Sequence, residues 1–491
     1  MAMGSIGDTL WDVVICGTGL QQSLLALSLS RSGKNILHID PNDYYGGAEA
    51  AFSLQEAESW VDHLATEDKG LFRSASITKP DVVGLSFPRA YSLALAPQLI
   101  HARSELLSQL VSSRAYRQVE FLAVGSFYIF KAPIDPEQQP SLVRIPSTRE
   151  DVFSTTAISA KAKRGLMKFL RFVLDYDSPE QRDAWKPFAD KPLVDFLQEH
   201  FKMDTELKTY IITLTLSLDG RINTKDGLFI VHRHLTSIGH FGPGFAALYP
   251  KWGGISEIAQ VACRAGAVGG AVYMLGAGIK SMDTATDEIE LELTSGDKVK
   301  TKLLVRGEES VGDEPSISRL VAVVDSPLKT LFESTVDGAP TPCVAVVALP
   351  PGSLTTPGEA DTDPVYVFAH SSGTGECPNG QSVLYLSTMA TPNSKEILSR
   401  SLESLLLAVD CDRVPQCLYQ LYYEQAAGVK QSRLDGLILD LPGPSLSLLM
   451  DDASLNHVRE AWKKVVGDAV DDAEYMVFTD REPVDDDDDY E

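Results

Sequence analysis

The sequence predicts an α/β protein: a Rossmann-type sheet domain with a helical domain inserted between its halves. Three observations carry that expectation. The chain opens on strand, glycine turn, helix and second strand; residues 160–239 read mainly as helix; and strand-like runs return after them.

Asp12–Cys16, DVVIC, is a short apolar, β-rich run, followed by the glycine turn Gly17-Thr18-Gly19. Leu20–Ser32 then spaces Leu24, Leu25, Ala26 and Leu27 as a helix packed on a sheet would, and Gly33 is expected to end it. Asn35–Asp40, NILHID, is the second strand, which makes a βαβ opening on a parallel sheet. Ala65–Lys79 is polar and reads as a loop. Leu93–Val111 reads as a helix, with Leu95, Leu99, Leu106, Leu107 and Leu110 apolar. Phe121–Phe130 is strand-like, and Ser147 or Thr148 with Glu150 and Asp151 resembles a helix N-cap.

The helical region holds GLMKFLRFVLDY, PLVDFLQEHF and LKTYIITLTLSL, and the punctuation GPG and YPKWGG after Phe241 marks the return to the sheet. Ala271–Leu293 alternates as strands do. LVAVVD, CVAVVAL, VYVFAH and SVLYLST are further strands, while Glu396–Val409 and part of Leu446–Val466 are helical. Gly307–Pro315 and Leu349–Asp363 read as inserts, and Asp485–Asp489 are five consecutive aspartates in a tail expected to be disordered. The expected division is 1–159 and 240–480 for the α/β domain, 160–239 for the helical domain and 481–491 for the tail. No internal repeat is visible.

The 491 residues hold 43 basic and 68 acidic side chains, a net charge of -25. Such acidity argues against nucleic acid and anionic membrane surfaces as partners. It serves solubility or a partner with basic segments. Cys16, Cys263, Cys343, Cys377, Cys411 and Cys417 show no metal-binding or disulfide spacing, which fits a reducing, cytosolic compartment. No signal peptide, prenylation box or apolar run of ~18 residues is expected to direct the chain into or across a membrane. His232 and His234 point different ways on a helix, His38 reads as structural, and no metal site or hydrolase motif is expected.

Strand, G-x-G, helix and a strand ending in an acid form the dinucleotide-binding arrangement, so the sheet domain is FAD-binding-like. Gly17 and Gly19 would turn the backbone towards a pyrophosphate at the helix N-terminus, and Asp40 stands where an acid would hold ribose hydroxyls. Gln22, however, occupies the third position, where the motif wants glycine. An FAD-dependent oxidoreductase is one reading that follows.

The second strand runs on into Pro41-Asn42-Asp43-Tyr44-Tyr45-Gly46-Gly47. The combination of GTGL, helix, LHID and YYGG resembles the opening of the Rab GDP-dissociation inhibitor and Rab escort protein superfamily. Gly125-Ser126-Phe127, Ile145-Pro146-Ser147-Thr148, Gly227-Leu228, Gly239-His240-Phe241-Gly242, Leu248-Tyr249-Pro250, Glu257–Leu275 and Pro442-Gly443-Pro444 resemble further landmarks in family order, most weakly between Gly307 and Tyr423. The resemblance implies a flavoenzyme-like fold that uses no flavin, no catalysis, and no cofactor beyond a bound geranylgeranyl group.

By the same resemblance, Rab binding falls to Tyr45 beside Tyr44, to Glu257, Gln260 and Arg264 on one helix face, and to Val272 and Met274 on the following strand. Val272 stands where inhibitors carry threonine. The mobile loop would be Gly242–Ala247, with Gly242, Pro243, Gly244 and Phe245, a segment with little packing of its own. A site for the Rab C-terminal segment would fall on Leu106, Leu107, Leu110 and Val111. The helical domain would hold the isoprenoid, with Phe169, Phe172, Phe196, Leu197, Ile211, Ile212 and Leu216 as lining or core. Its outer face would dock the transferase.

The inserts and the PGPSLSLLMDD segment favour the escort branch over the inhibitor branch. The implied partners are GDP-form Rab GTPases, the Rab geranylgeranyltransferase α/β heterodimer and an isoprenoid lipid. The implied location is the cytosol, with transient membrane contact.

Overall fold

The computed structural model describes residues 6–65, 70–80, 83–133, 135, 137–146, 160–307, 315–334, 336–354, 363–409, 413–467 and 470–479. The expected N-cap around Ser147, Thr148, Glu150 and Asp151, most of both inserts and the acidic tail lie outside them. The helices are α1 (Leu20–Leu29), α2 (Leu54–Leu64), α3 (Glu105–Ser112), α4 (Ala160–Leu174), α5 (Pro179–Trp185), α6 (Leu193–Phe201), α7 (Thr205–Thr215), α8 (Thr224–Ser237), α9 (Ile255–Val268), α10 (Ser394–Ala408) and α11 (Ala453–Val466).

The opening βαβ unit forms as its pattern dictates. Val13–Cys16 lies in a six-stranded sheet ordered Val272–Leu275, Ile36–Asp40, Val13–Cys16, Leu304–Gly307, Ile438–Leu441, Arg433–Asp435, with only the last strand antiparallel. Both faces of its inner strands are covered, which is why Val13–Cys16 and Ile36–Asp40 are buried almost throughout, whereas the edge strand Arg433–Asp435 is exposed. On one face α1, α9 and α11 pack over Val13, Ile15 and Val305. On the other, a four-stranded sheet brings Ile289, Leu291, Leu293 and Val299 against Val14, Leu37 and Ile39. Helix α1 ends at Leu29 with Ser30 as its cap, so Gly33 (φ +70°) serves the turn that follows rather than the helix end.

A second, larger mixed sheet runs Phe72–Thr78, Cys417–Gln425, Ile317–Val324, Ser382–Met389, Val365–Ser371, Val344–Leu349, Phe121–Lys131, Ala247–Pro250, Ile100–His101. Two sequence expectations fail here. Within Ala65–Lys79, Phe72–Thr78 is an edge strand; Ser74 at φ +57° and a register shift opposite Tyr422 and Glu424 spoil the alternation that would have revealed it. Within Leu93–Val111 only α3 is helical. Leu93–Ala94 pairs with Ala51–Phe52, and Ile100–His101 pairs with Ala247–Leu248. Pro97 lies between them, and strand partners distant in sequence override the helix-like spacing of the leucines.

Helices α4–α8 pack on one another and, through α7 and α8, on this sheet. Ser178, Asp204 and Asn223 cap α5, α7 and α8 by accepting backbone N–H bonds. One buried ion pair ties the layers together. Arg233 on α8 meets Asp452, whose carboxylate also accepts from the Ser104 hydroxyl (2.6 Å) and the Glu105 N–H (2.9 Å) at the start of α3.

Arg319, at the centre of the large sheet, is 2% exposed. Its Nε donates to Gln425 Oε1 (3.0 Å) and its Nη1 to Ser387 Oγ (3.3 Å), while Nη2 has no hydrogen-bond partner among the described residues. Burial lowers its pKa. Because a buried cation held only by neutral groups costs more than it returns, Arg319→Met is expected to be neutral or to stabilise by about 1–4 kcal/mol. A urea denaturation midpoint that falls well below the parent's would count against this account.

Candidate functional site

At the glycine turn, Gly17 adopts φ +93° and Gly19 precedes α1. The space that a pyrophosphate would need is taken by side chains. Glu49 Oε2 accepts the N–H of Leu20 at the N-terminus of α1 (2.7 Å), the position where an anion is best held. Gln22 lies across the turn so closely that a Cβ built on Gly307 would stand 2.4 Å from its Nε2. Asp40 is committed as well: Oδ2 accepts from the Thr18 hydroxyl (2.7 Å), and Oδ1 from the N–H (2.8 Å) and Nδ2 (3.0 Å) of Asn42. Thr18 Oγ1 in turn accepts the N–H of Gly46 (3.0 Å). A dinucleotide does not fit these residues as they stand. Gln22 was visible in the sequence; Glu49, from a loop beyond the second strand, was not.

Burial of the Glu49 carboxyl pushes its pKa up to about 7, against the opposing Leu20 N–H. Burial pushes His38 and His234 down to about 4. The two effects have opposite signs. Between pH 6.5 and 4 the unfolded chain takes up protons that folded His38 and His234 refuse, so stability falls with falling pH by about 1.4 kcal/mol per unit per group. Glu49 favours folding below pH 4.5, and its contribution is lost as pH rises towards 7. Part of this side chain remains open to solvent, which moderates the loss. Glu49→Gln is expected to gain about 1–2 kcal/mol over the parent at pH 8 and nothing at pH 4. Denaturation at the two pH values measures both.

The YYGG run ends the second strand in a turn. Gly46, at φ +97°, could not carry a side chain, since a Cβ there would stand 2.9 Å from the Ala50 backbone. The two tyrosines diverge. Tyr44 turns into the core and meets Phe52 edge-on (4.9 Å), and burial raises its pKa to about 12. Tyr45 is only partly buried and lies in the field of Cys263 and Arg264.

Helix α9 gathers Glu257, Gln260 and Arg264 beside Tyr45. Burial raises the Glu257 carboxyl and nearby Arg264 lowers it, while Gln260 Nε2 donates back to Ser256 Oγ (3.3 Å). Val272 and Met274 lie on the edge strand of the parallel sheet but pack on the opposite face, against the four-stranded sheet. Alternation instead directs Tyr273 to α9, where its ring sits 4.8 Å from His38. Tyr273 was therefore missed, although strand periodicity points to it. The predicted residues meet at one open sheet edge, on two faces of it.

Beyond α8, the loop Gly242-Pro243-Gly244-Phe245 is less free than its composition suggests. Phe245 is 8% exposed and packed in the core, whereas Phe241 is 55% exposed. Phe245 also lines a cavity of 340 Å3 between α4, α7, α8 and the large sheet, together with Phe169, Leu170, Ile211, Leu214 and Leu235. His234 borders it, neutral at ordinary pH and edge-on to Phe127 (5.4 Å). Of the helical-domain candidates, Phe169 and Ile211 line this cavity. Phe172 and Phe196 instead join an aromatic cluster with Phe201, and Leu197 and Leu216 are core. Ile212 packs against that core. Leu106, Leu107 and Leu110 are likewise buried, as the inward stripe of α3, so only Val111 of that group is presented.

Among the described residues no cluster of His, Cys, Asp or Glu could hold a metal ion, and no helix is long and apolar enough to cross a membrane. None of the five described cysteines forms a disulfide; Cys411 lies outside the described residues.

A family model described as GDP dissociation inhibitor matches residues 7–410. The chain is 30% identical over 409 residues to "Rab proteins geranylgeranyltransferase component A" of Saccharomyces cerevisiae, covering 81% of this chain and 65% of that protein. It is 30% identical over 394 residues to a protein of the same name in Candida albicans, covering 77% and 59%. The chain thus spans somewhat under two thirds of the length of these relatives. A Rab GDP-dissociation inhibitor of S. cerevisiae is 26% identical over 303 residues, covering 60% and 61%. Among solved structures, a Rab GDI from Plasmodium falciparum superposes with TM-score 0.67 at 17% identity, covering 93% and 98%. A putrescine oxidase does so at 0.52 and 11%, covering 93% and 99%. The fold is thus the one that GDI proteins share with oxidases, as the FAD-binding-like expectation held.

Proposed function

The chain belongs to the GDP dissociation inhibitor family, and from that premise we propose that it is a Rab escort protein. In this reading it binds GDP-form Rab GTPases, presents them to Rab geranylgeranyltransferase and shields the attached lipid until delivery to a membrane. It is an accessory, non-catalytic component of that enzyme and acts in the cytosol.

The observation that carries the reading is the pairing of the Tyr45–Glu257–Arg264 surface with a separate apolar cavity behind Phe245. The first offers charge and hydrogen bonds to a folded partner; the second offers burial to part of an isoprenoid chain. The names of the yeast and Candida relatives support the escort role over the inhibitor role. No dinucleotide has a part in the function, a view supported by the way Glu49 and Gln22 fill the glycine turn.

The deciding assay is prenylation in vitro, with unprenylated Rab, geranylgeranyl pyrophosphate and the transferase, with and without the chain. Transfer that depends on the chain is expected. Transfer indifferent to it, with extraction of prenylated Rab from membranes retained, would make the chain an inhibitor instead. Leu214→Trp, which fills the cavity, is expected to weaken binding of prenylated Rab about tenfold and to leave unprenylated Rab unaffected. Titration of both Rab forms against the variant measures the split.

A further inference from the structure

Helix α4 carries charge of the sign this chain otherwise lacks. Its 15 residues, AKAKRGLMKFLRFVL, include five cations and no acid, in a sequence where 68 acidic side chains outnumber 43 basic ones. Ala162, Leu166, Phe169, Phe172 and Val173 form its buried face. Lys161, Arg164, Lys168 and Arg171 are exposed, at spacings of three, four and three, so they stand in one row along the helix. The row is about 15 Å long. None of the four forms an ion pair among the described residues, and Lys168 lies 5.6 Å from the Phe201 ring. Like charges three or four apart destabilise a helix, and no aspartate or glutamate within α4 offsets them. A row kept at that cost suits a negative partner outside the chain.

The row borders the apolar cavity. Met167, Leu170, Arg171 and Leu174 of α4 all line it. Arg171 and Leu174 are both exposed, Leu174 to 54%, so the cavity reaches the surface beside the end of the row. Beyond Leu174 the charge changes sign: Asp175 follows, and Asp177 pairs with Arg182 (2.9 Å). A straight row of cations beside an exposed leucine and an apolar opening is what an interfacial helix presents to lipid. The cations meet the headgroups, and the apolar surface meets the acyl boundary. An acidic peptide would use the row alone and leave Leu174 and the opening without a part.

We infer that α4 docks the chain on an anionic lipid surface through Lys161, Arg164, Lys168 and Arg171, with the mouth of the cavity turned to the bilayer. The net charge of -25 opposes approach from a distance. At about 0.1 M salt, however, that charge is screened beyond roughly 10 Å, and contact is decided by the groups nearer than this. Four cations and one exposed leucine give reversible contact rather than anchoring. The use of the docked cavity, to pass a buried isoprenoid between protein and bilayer, rests on the escort reading; the docking itself does not.

The test is flotation of the full chain, free of Rab and isoprenoid, with vesicles of phosphatidylcholine alone or of equal parts phosphatidylcholine and phosphatidylserine. The parent is compared with two variants. The row variant carries Lys161→Gln, Arg164→Gln, Lys168→Gln and Arg171→Gln; the control carries Lys280→Gln, Lys298→Gln, Lys300→Gln and Lys302→Gln. The control removes the same charge from exposed lysines on and beside the four-stranded sheet, whose surface ion pairs contribute little to stability. Docking through the row predicts that parent and control bind the phosphatidylserine vesicles about tenfold more than the neutral ones, and that the row variant loses this preference. Salt at about 0.5 M is expected to abolish it as well. Equal loss in the row and control variants would overturn the proposal, since net charge alone would then decide. Equal binding of the parent to both vesicle types would overturn it too, as would binding to neither, which leaves the row to an acidic protein segment. Matching circular dichroism spectra and melting temperatures guard against misfolding. Neither Rab nor isoprenoid enters this measurement, so its failure and that of the prenylation assay are separate results.

Discussion

Glu376→Ala is expected to destabilise the folded chain by about 3–5 kcal/mol, with a corresponding fall in the denaturation midpoint. Glu376 is wholly buried, and both carboxylate oxygens are in use. Oε1 accepts from the Tyr249 hydroxyl (2.8 Å), and Oε2 accepts from the Tyr385 hydroxyl (3.0 Å) and meets His370 Nδ1 (2.6 Å). Tyr385 in turn accepts the N–H of Ala94 (3.1 Å), and the Glu376 carbonyl accepts that of Ser92 (3.2 Å). Alanine would leave three buried polar side chains without their partner, each costing more than the bond it loses. Tyr249→Phe removes one bond and is expected to cost about 1 kcal/mol, whereas Tyr385→Phe removes the bond to Glu376 and also leaves the Ala94 N–H without its acceptor, at about 2 kcal/mol. If Glu376→Ala proves no worse than either tyrosine change, the network is not acting as a unit. The cluster also matters for position. The Tyr249 ring stands against Gly254, immediately before α9, and the Thr374 carbonyl accepts the N–H of Trp252 in the same turn. Loss of Glu376 therefore loosens the entry to the helix that carries Glu257 and Arg264.

Arg264→Glu is expected to weaken binding of GDP-form Rab about 100-fold, roughly 2.7 kcal/mol, with little change in stability. Arg264 is exposed, so the fold loses little with it. The substitution also puts a second acid beside Glu257, whose carboxyl is raised by burial and loses the opposing effect of the Arg264 charge. Titration calorimetry against a GDP-loaded Rab measures the affinity, and thermal melting checks the fold. An affinity within threefold of the parent would remove Arg264 from the binding surface. Tyr45→Ala should cost less, about 1–2 kcal/mol, as the loss of one partly buried aromatic contact.

What the sequence disclosed follows a physical line. The βαβ opening was legible because a parallel sheet covered on both faces demands continuous apolar strands, and DVVIC and NILHID supply them. Helices α4–α8 were legible from their period. Leu93–Val111 was not, because leucines spaced for a helix also suit two short strands whose partners lie elsewhere in the chain. At the candidate site, spacing put Glu257, Gln260 and Arg264 on one helix face. It could not reveal that Glu49 reaches the N-terminus of α1 from 29 residues away. Nor could it distinguish Leu106, Leu107 and Leu110 as core from the same leucines as a binding groove, since both need an apolar stripe. The alternation that separates Tyr273 from Val272 and Met274 was available in the sequence, but the family resemblance pointed to Val272 and Met274 instead.

The edge strand Val272–Leu275 carries one more consequence. It pairs with Ile36–Asp40 on one side, and among the described residues no strand follows it on the other. An uncovered edge exposes ladder groups that can template a second copy, the first step towards aggregation. At four residues, closed by Gly269-Gly270 before it and Gly276 after it, the strand offers too short a template for that. Brevity thus limits what the open edge can template, and a substitution that lengthened the strand would remove that limit.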